Sequence, residues 1–140
     1  MNRRFLTTAV VVLMLAAMAV ISASCEHAFP NDDLDFYWRL ESIEYKGGVT
    51  EQVENTMFGF SRHIVLIEIL SGSPFERHGI TTDTGDSLKF DFSMYPDKTV
   101  VMDGLRRCGI DSTVTTFGVE YPKGGLILSN DRVVLHLRKW

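Results

Sequence analysis

A short motif in the middle of the chain contains a residue that could perform hydrolysis. Gly85-Asp86-Ser87-Leu88 offers a serine that could act as a nucleophile if a histidine took its proton and an acid oriented that histidine. Asp131 and His136 are the acid and the histidine near the end of the chain, and four residues separate them. Because four-letter matches are common and the surrounding chain predicts only short strands, we interpret this motif as a chance match.

A second motif, Asp83-Thr84-Gly85, overlaps the first and could place an aspartate on a tight turn. Aspartyl proteolysis needs two carboxylates that share one proton, each on a rigid turn after an apolar strand. Here Thr81 and Thr82 precede the motif and Asp86 follows it. The residue types are those of a solvent-exposed hairpin turn. We therefore predict that the protein is not an enzyme.

Neither the spacing of the histidines nor the net charge of the chain favours a metal or nucleic-acid site. His27, His63, His78 and His136 are scattered, without the paired spacing of a metal site, so no metal and no cofactor is expected. The whole chain has a net charge of −4. Loss of Arg3 and Arg4 with a cleaved leader would leave 12 basic and 18 acidic residues, a net charge of −6. That balance makes a nucleic-acid partner improbable.

The first 24 residues have the pattern of a signal peptide. Two arginines lie in Met1–Arg4, thirteen apolar residues follow in Ala9–Ile21, and three small residues occupy positions 22–24. A membrane span needs about 20 apolar residues, so this run is short for a permanent helix. An uncleaved anchor over Phe5–Ala23 is the alternative.

Cys25 directly follows these small residues and resembles the lipidated cysteine of bacterial lipoproteins. The resemblance departs from the usual lipobox at Ser22, where leucine is typical, while Ile21 lies one place earlier. It implies acyl chains on Cys25, each buried CH₂ adding about 0.8 kcal/mol of membrane affinity. We expect a protein of the cell envelope, anchored to the outer membrane on its periplasmic or surface-exposed face, with residues 25–34 as a lipidated tether.

The chain has two cysteines, Cys25 and Cys108. Lipidation of Cys25 would leave Cys108 without a disulfide partner. A disulfide between them in an oxidising compartment is the competing interpretation. Cys108 has no neighbouring feature in the sequence that would lower its pKa, which favours a small buried residue over a catalytic thiol.

The remaining residues, 35–140, predict one all-β domain. Composition is ordinary for a globular protein, with 45% apolar and 23% charged residues. Turn residues recur every ten to fifteen positions, and Leu88–Met94 alternates strictly between apolar and polar types. A phase shift in the first strand predicts a β-bulge near Ser42. A single short helix is expected near 103–108, with Asp103 as its N-cap and Gly109 after its end.

About eight short antiparallel strands result. Eight strands can close into a barrel that removes exposed sheet edges and leaves room for side chains or one small ligand. A β-sandwich of the same strands is the alternative architecture.

The pattern around Trp38 and the C-terminal strands resembles the lipocalin-like lipoproteins of Gram-negative gut anaerobes. The resemblance rests on Trp38 and Leu40, on the Leu105–Ile110 segment, and on Gly125–Trp140. Lipocalins begin with Gly-x-Trp, and Phe36 stands here at the glycine position. In that family the tryptophan packs under a basic residue from the end of the chain. The resemblance implies that Arg138, or Arg132, pairs with Trp38 to close the barrel.

The resemblance also implies a binding function, and the aromatic residues are the candidates for it. They could line an apolar cavity for a small apolar ligand or fill the barrel as its core. With a solid core, the protein would be a non-enzymatic module that binds a protein or glycan, with Tyr95–Asp111 as the expected contact segment. The barrel-lining or core candidates are Trp38, Phe58, Phe60, Phe90, Phe92, Phe117 and Tyr121.

Overall fold

Short runs of alternating apolar and polar residues form strands along most of the domain. The computed structural model describes residues 34–140, and the predicted leader, Cys25 and residues 26–33 of the tether lie outside them. The strands are β1 (Phe36–Tyr45), β2 (Thr50–Gln52), β3 (Thr56–Ser61), β4 (Ile64–Ile69), β5 (Phe75–Asp83), β6 (Ser87–Asp91), β7 (Val114–Glu120), β8 (Gly125–Ser129) and β9 (Val133–Lys139).

Sequential antiparallel pairing closes these strands into a barrel. Each strand from β3 to β8 pairs with the next, β1 pairs with β3, and β1 also pairs with β9 along most of its length. The predicted eight-stranded antiparallel barrel is confirmed, and the closing β1–β9 pairing excludes the sandwich. The short strand β2 was not predicted, because its three residues are polar and exposed, and it extends one side of β1.

The predicted bulge in β1 is confirmed. The register between β1 and β9 shifts between Leu40 and Ser42. Side chains of a regular strand alternate between the two faces, so the extra residue changes which positions point inward. Trp38, Leu40 and Ile43 are consequently all buried, although Ile43 is an odd-numbered position.

The two ends of the barrel differ. The loops β1–β3, β4–β5, β6–β7 and β8–β9 lie at one end, and helix α1 (Lys98–Arg107), which belongs to the β6–β7 loop, covers that end. We call it the helix-capped end. The other end contains Leu34, the turns β3–β4, β5–β6 and β7–β8, and Trp140, and we call it the N-terminal end.

Helix α1 begins earlier than the sequence indicated. The Asp97 carboxylate, not that of Asp103, caps the helix by accepting hydrogen bonds from the amides of Thr99 (3.0 Å) and Val100 (3.4 Å). The β-branched residues of the first turn are poor helix formers, which is why the pattern predicted a later start. Packing of Val101 and the residues that follow it against the barrel outweighs this preference. Gly109 ends the helix with φ of +76°, as predicted.

Gly104 determines how closely α1 approaches the barrel. A Cβ atom on Gly104 would collide with the Phe75 ring, which fills the space directly beneath the helix. The Arg107 guanidinium fastens the same helix to the β4–β5 loop by donating to the Ser73 and Ser71 carbonyl oxygens, both at 2.6 Å. The helix is therefore a fixed cover over this end of the barrel.

Candidate functional site

The barrel interior is filled with aromatic rings. Phe90 lies at its centre, fully buried, and its ring centroid is 5.4 Å from that of Phe117, 5.9 Å from Phe60, 6.2 Å from Phe58 and 6.5 Å from Phe92. These are the separations of packed aromatic pairs. The five phenylalanines therefore form the core of the barrel in this structure and do not surround an empty cavity.

The other two aromatic candidates occupy different environments. Trp38 points into the barrel at the N-terminal end, 3% exposed, and its Nε1–H donates to the Leu34 carbonyl at 3.0 Å. Leu34, the last residue of the predicted tether, is itself fully buried. Tyr121 is only partly buried and packs at the edge of the core.

The structure does not bring Trp38 and Arg138 together. In β9 the neighbouring Leu137 points inward, so Arg138 lies on the outer face of the barrel. Its Nε is 3.4 Å from Glu41 Oε1. Arg132, the other candidate, lies at the helix-capped end and forms an ion pair with Asp111. The alternation of β9 thus prevents the pairing that the resemblance implied.

The two hydrolase-like motifs form the β5–β6 turn at the N-terminal end. Asp83 Oδ1 accepts from the Gly85 amide at 2.7 Å, and the hydroxyls of Thr84 and Ser87 lie 2.9 Å apart. Ser87 is in β6 and His136 in β9, three strand spacings of about 4.8 Å away. His136 instead lies 3.3 Å from Glu44. These contacts are those of a β-turn, and the serine–histidine pair required for hydrolysis is not formed.

The metal-binding residue types remain dispersed in the fold. Within residues 34–140, no group of three histidine, cysteine, aspartate or glutamate side chains is placed to hold a metal ion. Cys108 is free and fully buried, and burial raises the pKa of its thiol from 9.0 to about 12. The thiol therefore stays protonated at neutral pH, which is the state of an unreactive core cysteine.

A cleft at the helix-capped end is the best-formed candidate site. Three segments enclose it: the end of β1, the C-terminal turn of α1 with the residues after it, and the turn between β8 and β9. Its volume is about 530 Å³, within the range of small-molecule sites. It is lined by Tyr45, Lys46, Gly47, Arg106, Gly109, Ile110, Asp111, Asp131, Arg132 and Val133.

Backbone contacts between these segments fix the shape of the cleft. The Lys46 amide donates to the Arg132 carbonyl at 2.9 Å. Gly109 lies so close to β1 that a Cβ atom there would be 2.9 Å from Ile43 Cγ2. Glycine at position 109 therefore allows the end of the helix to pack directly on the barrel wall, with Ile110 beneath it.

The cleft combines an apolar surface with charged edges. Tyr45, Ile110 and Val133 are its apolar lining residues. Arg132 Nη1 is 2.7 Å from Asp111 Oδ2, an ion pair that connects the strand side to the helix side. The Arg106 guanidinium has no hydrogen-bond or ion-pair partner among residues 34–140, so its donors can reach a ligand.

Tyr45 contributes a neutral hydroxyl to the cleft. Burial raises the pKa of this phenol above 10.0, and the nearby Glu51 carboxylate raises it further. Tyr45 Oη donates to Glu51 Oε2 at 3.2 Å. The side chain is therefore an uncharged aromatic surface throughout the physiological pH range.

The cleft is not predictable from the sequence. The predicted contact segment Tyr95–Asp111 contains four of the lining residues, but no pattern in the sequence joins them to Tyr45 or Arg132. The only available signal was the cluster of turn residues Lys46-Gly47-Gly48 and Ser129-Asn130-Asp131 at two strand ends that a barrel brings together. Within the described part of the chain, no helix has the length and apolar character to cross a bilayer.

Comparison with known proteins identifies the fold family. None of the curated proteins compared with this chain is significantly similar to it. A crystal structure of a lipocalin-like protein from Bacteroides uniformis has a TM-score of 0.62 and 22% identity, covering 77% of this chain and 99% of that one. An uncharacterized protein from Bacteroides eggerthii has a TM-score of 0.63 and 19% identity, covering 77% of this chain and 100% of that one. Residues 18–140 match the lipocalin-like domain family, as the resemblance implied. The chain therefore belongs to the lipocalin-like domain family.

Proposed function

We propose that this protein is a non-enzymatic binding protein of the cell envelope, and that its ligand occupies the cleft at the helix-capped end. The ligand is small and mostly apolar, and it carries one acidic group. The observation that carries this proposal is the cleft itself, with a volume of about 530 Å³, beside a barrel interior that is filled by phenylalanine rings. Binding is also the usual activity of the lipocalin-like fold, although a fold alone does not determine function.

The cleft residues suit such a ligand. The Arg106 guanidinium can form two parallel hydrogen bonds with a carboxylate or sulfonate. Lys46 adds a second positive charge, whereas Asp111 balances the charge of Arg132 and Asp131 also lines the cleft, so the lining keeps a net charge of +1. The apolar part of the ligand would lie on the Tyr45 ring. Aromatic rings of this kind provide a large contact area at little cost in conformational entropy.

Anchoring to the membrane through Cys25 is the second part of the proposal. The leader pattern and the cysteine that follows it support lipidation. The family match begins at residue 18, so Cys25 lies within the matched region. Acyl chains on Cys25 would hold the domain at the outer membrane, where it could take up apolar compounds.

Substitution of Gly47 tests directly whether the cleft binds the ligand. A Cβ atom on Gly47 would meet no atom within 4 Å, and its φ is not positive, so a leucine there would project into open space. We expect wild-type protein to bind the fluorescent probe 1-anilinonaphthalene-8-sulfonate, Gly47→Leu to lose this binding, and Gly47→Ala to keep it. Arg106→Gln should weaken binding roughly 10- to 150-fold, because charge-assisted hydrogen bonds contribute about 1.5–3 kcal/mol and each 1.4 kcal/mol is a factor of ten. Arg138→Gln, on the outer wall, is the matched control.

Equal binding of the probe by the Gly47→Leu and Gly47→Ala variants would contradict the proposed cleft. Native mass spectrometry of protein purified from its own host would then show whether any small molecule is retained elsewhere.

Thiol counting tests the lipid anchor. The mature chain unfolded in denaturant should contain one reactive thiol, that of Cys108, because acylation blocks the sulfur of Cys25. Two reactive thiols would contradict lipidation. Globomycin, which inhibits the lipoprotein signal peptidase, should also cause the precursor to accumulate.

A module that binds a protein or glycan is the second candidate, and the solid core of the barrel favours it. Its contact surface would be the segment Tyr95–Asp111, which contains α1 and adjoins the same cleft. If a stoichiometric envelope protein is captured equally by the wild-type protein and by Gly47→Leu, this candidate is favoured over a small ligand in the cleft.

A further inference from the structure

The N-terminal end of the barrel displays large apolar side chains on its surface. Five of them are about half exposed or more, and three of these are aromatic. We call them the aromatic surface: Phe36 (64% exposed), Tyr37 (50%), Ile64 (47%), Ile80 (51%) and Trp140 (79%).

Backbone pairing makes this surface continuous. The Trp140 amide donates to the Tyr37 carbonyl at 3.1 Å, which places the last residue beside β1. Tyr37 covers Gly59 on the outer face of β3 and, with Ile64, lines a shallow groove of about 250 Å³. Ile64 is the cross-strand partner of Ile80. The surface therefore extends from β9 across β1, β3 and β4 to β5.

Phe36 is exposed in spite of its position in the strand. It is two residues before Trp38, and in a regular strand the two side chains would share the inner face. Its backbone has φ of +100°, a conformation that costs roughly 1–3 kcal/mol for a residue with a side chain. Packing of the ring inside the barrel does not offset this cost, because the ring is largely exposed. The contact that the structure shows for the ring lies outside the barrel, where Lys139 Nζ is 5.2 Å from the ring centre.

The exposed apolar residues at the helix-capped end are different. Val49, Leu70, Met94, Val100 and Val114 are aliphatic, and each lies in a separate loop or element. Scattered apolar residues of this kind are normal on protein surfaces. The contrast shows that the aromatic surface is a specific feature of one end of the domain.

The tether ends at this same end of the barrel. Leu34 packs under Trp38, and nine residue steps separate it from Cys25. Nine residues can span at most about 30 Å. If Cys25 is acylated, as the proposed function states, the tether keeps the N-terminal end close to the lipid. The helix-capped cleft lies at the opposite end, facing away from it.

From this arrangement we propose that the aromatic surface docks on the membrane to which Cys25 is anchored. Tryptophan and tyrosine favour the interface between lipid and water, because their rings are apolar and carry a polar group. Arg62, in the β3–β4 turn, and Lys139, whose Nζ lies 5.2 Å from the centre of the Phe36 ring, border the surface and would contact anionic headgroups. Docking would orient the barrel with its ligand cleft open to solvent.

Tryptophan fluorescence of the full mature chain tests this orientation. The protein is purified from membranes and reconstituted into vesicles of phosphatidylethanolamine and phosphatidylglycerol, with and without brominated lipid. Trp140 should shift its emission to shorter wavelength on reconstitution and be quenched by bromine. The Trp140→Phe variant retains only Trp38, which is 3% exposed inside the barrel, and should show neither change.

Two double variants test whether the quenching of Trp140 depends on the aromatic surface. The double variant Ile64→Ser, Ile80→Ser should lose most of the quenching of Trp140. The matched control Val49→Ser, Leu70→Ser removes aliphatic residues that are at least as exposed, at the helix-capped end, and should keep the quenching.

The outcomes separate this inference from the lipid anchor. Protein that fails to float with the vesicles would contradict lipidation of Cys25 and therefore the anchoring part of the proposed function. Protein that floats while its Trp140 is not quenched would overturn the docking alone. A dimer in detergent that the Ile64→Ser, Ile80→Ser variant converts to monomers would also overturn it, because the surface would then join two copies of the chain.

Discussion

Replacing Phe90 with alanine should destabilise the domain more than almost any other single change. The Phe90 ring is fully buried, and four other phenylalanine rings surround it at centroid distances of 5.4–6.5 Å. Truncation of a buried phenylalanine to alanine costs about 3–5 kcal/mol, since the ring is lost and its neighbours only partly fill the cavity. A typical domain has a total stability of about 5–15 kcal/mol.

Thermal and urea unfolding measure this effect. At about 4–8 °C per kcal/mol for a domain of roughly 100 residues, the expected fall in Tm is roughly 12–40 °C. Phe36→Ala is the control, because that ring is 64% exposed and its removal should change the unfolding free energy by less than about 0.5 kcal/mol. The cavity left by Phe90→Ala should also bind benzene, which the wild-type interior should exclude.

A small effect would refute the reasoning. If Phe90→Ala costs less than about 1 kcal/mol, or if wild-type protein binds benzene as well as the variant does, the phenylalanines line a hollow barrel. The ligand site would then lie inside the barrel, and the helix-capped cleft would lose its main support.

Two further predictions concern the helix-capped end. Gly104→Ala should destabilise the domain by about 1–3 kcal/mol in urea unfolding, although alanine is the better helix former, because its Cβ would collide with the Phe75 ring; a gain in stability would show that α1 can move away from the barrel. Burial raises the pKa of the Cys108 thiol to about 12, so the stability that its neutral form contributes should be complete below pH 9 and be lost as the pH rises from about 9 to about 12. In native protein, iodoacetamide should leave Cys108 unmodified at pH 8, and Cys108→Ala should remove that part of the pH dependence; rapid labelling of the native thiol would contradict its burial.

Local patterns predicted the strands because the barrel buries one face of each strand. Leu88 and Phe90 alternate with polar residues, and the structure places both of them inside. The bulge near Ser42 was also predictable, since a change in the phase of apolar residues is what a bulge produces. The start of α1 was not, because tertiary packing outweighed the weak helix propensity of its first turn.

The candidate site depended on contacts between distant parts of the chain. Tyr45, Arg106 and Arg132 are separated by tens of residues, and each lies in a turn or near the end of an element, where the local sequence does not indicate which segment lies opposite. The position of Arg138 shows the same dependence in another way. The pair with Trp38 was compatible with two neighbouring strands. Side chains alternate between the two faces of β9, however, and Arg138 points to the outer wall.

By itself, the sequence determined the fold class of this protein, one all-β domain of about eight strands, and it predicts a leader that ends at a cysteine. These features follow from composition and from alternation along neighbouring residues, which act over a few positions. Only the tertiary structure decided that the rings fill the barrel, that a cleft forms beside the end of α1, and that an aromatic surface lies at the end of the barrel where Leu34 is buried. Packing and strand register bring distant residues into contact, and local sequence patterns do not specify these contacts.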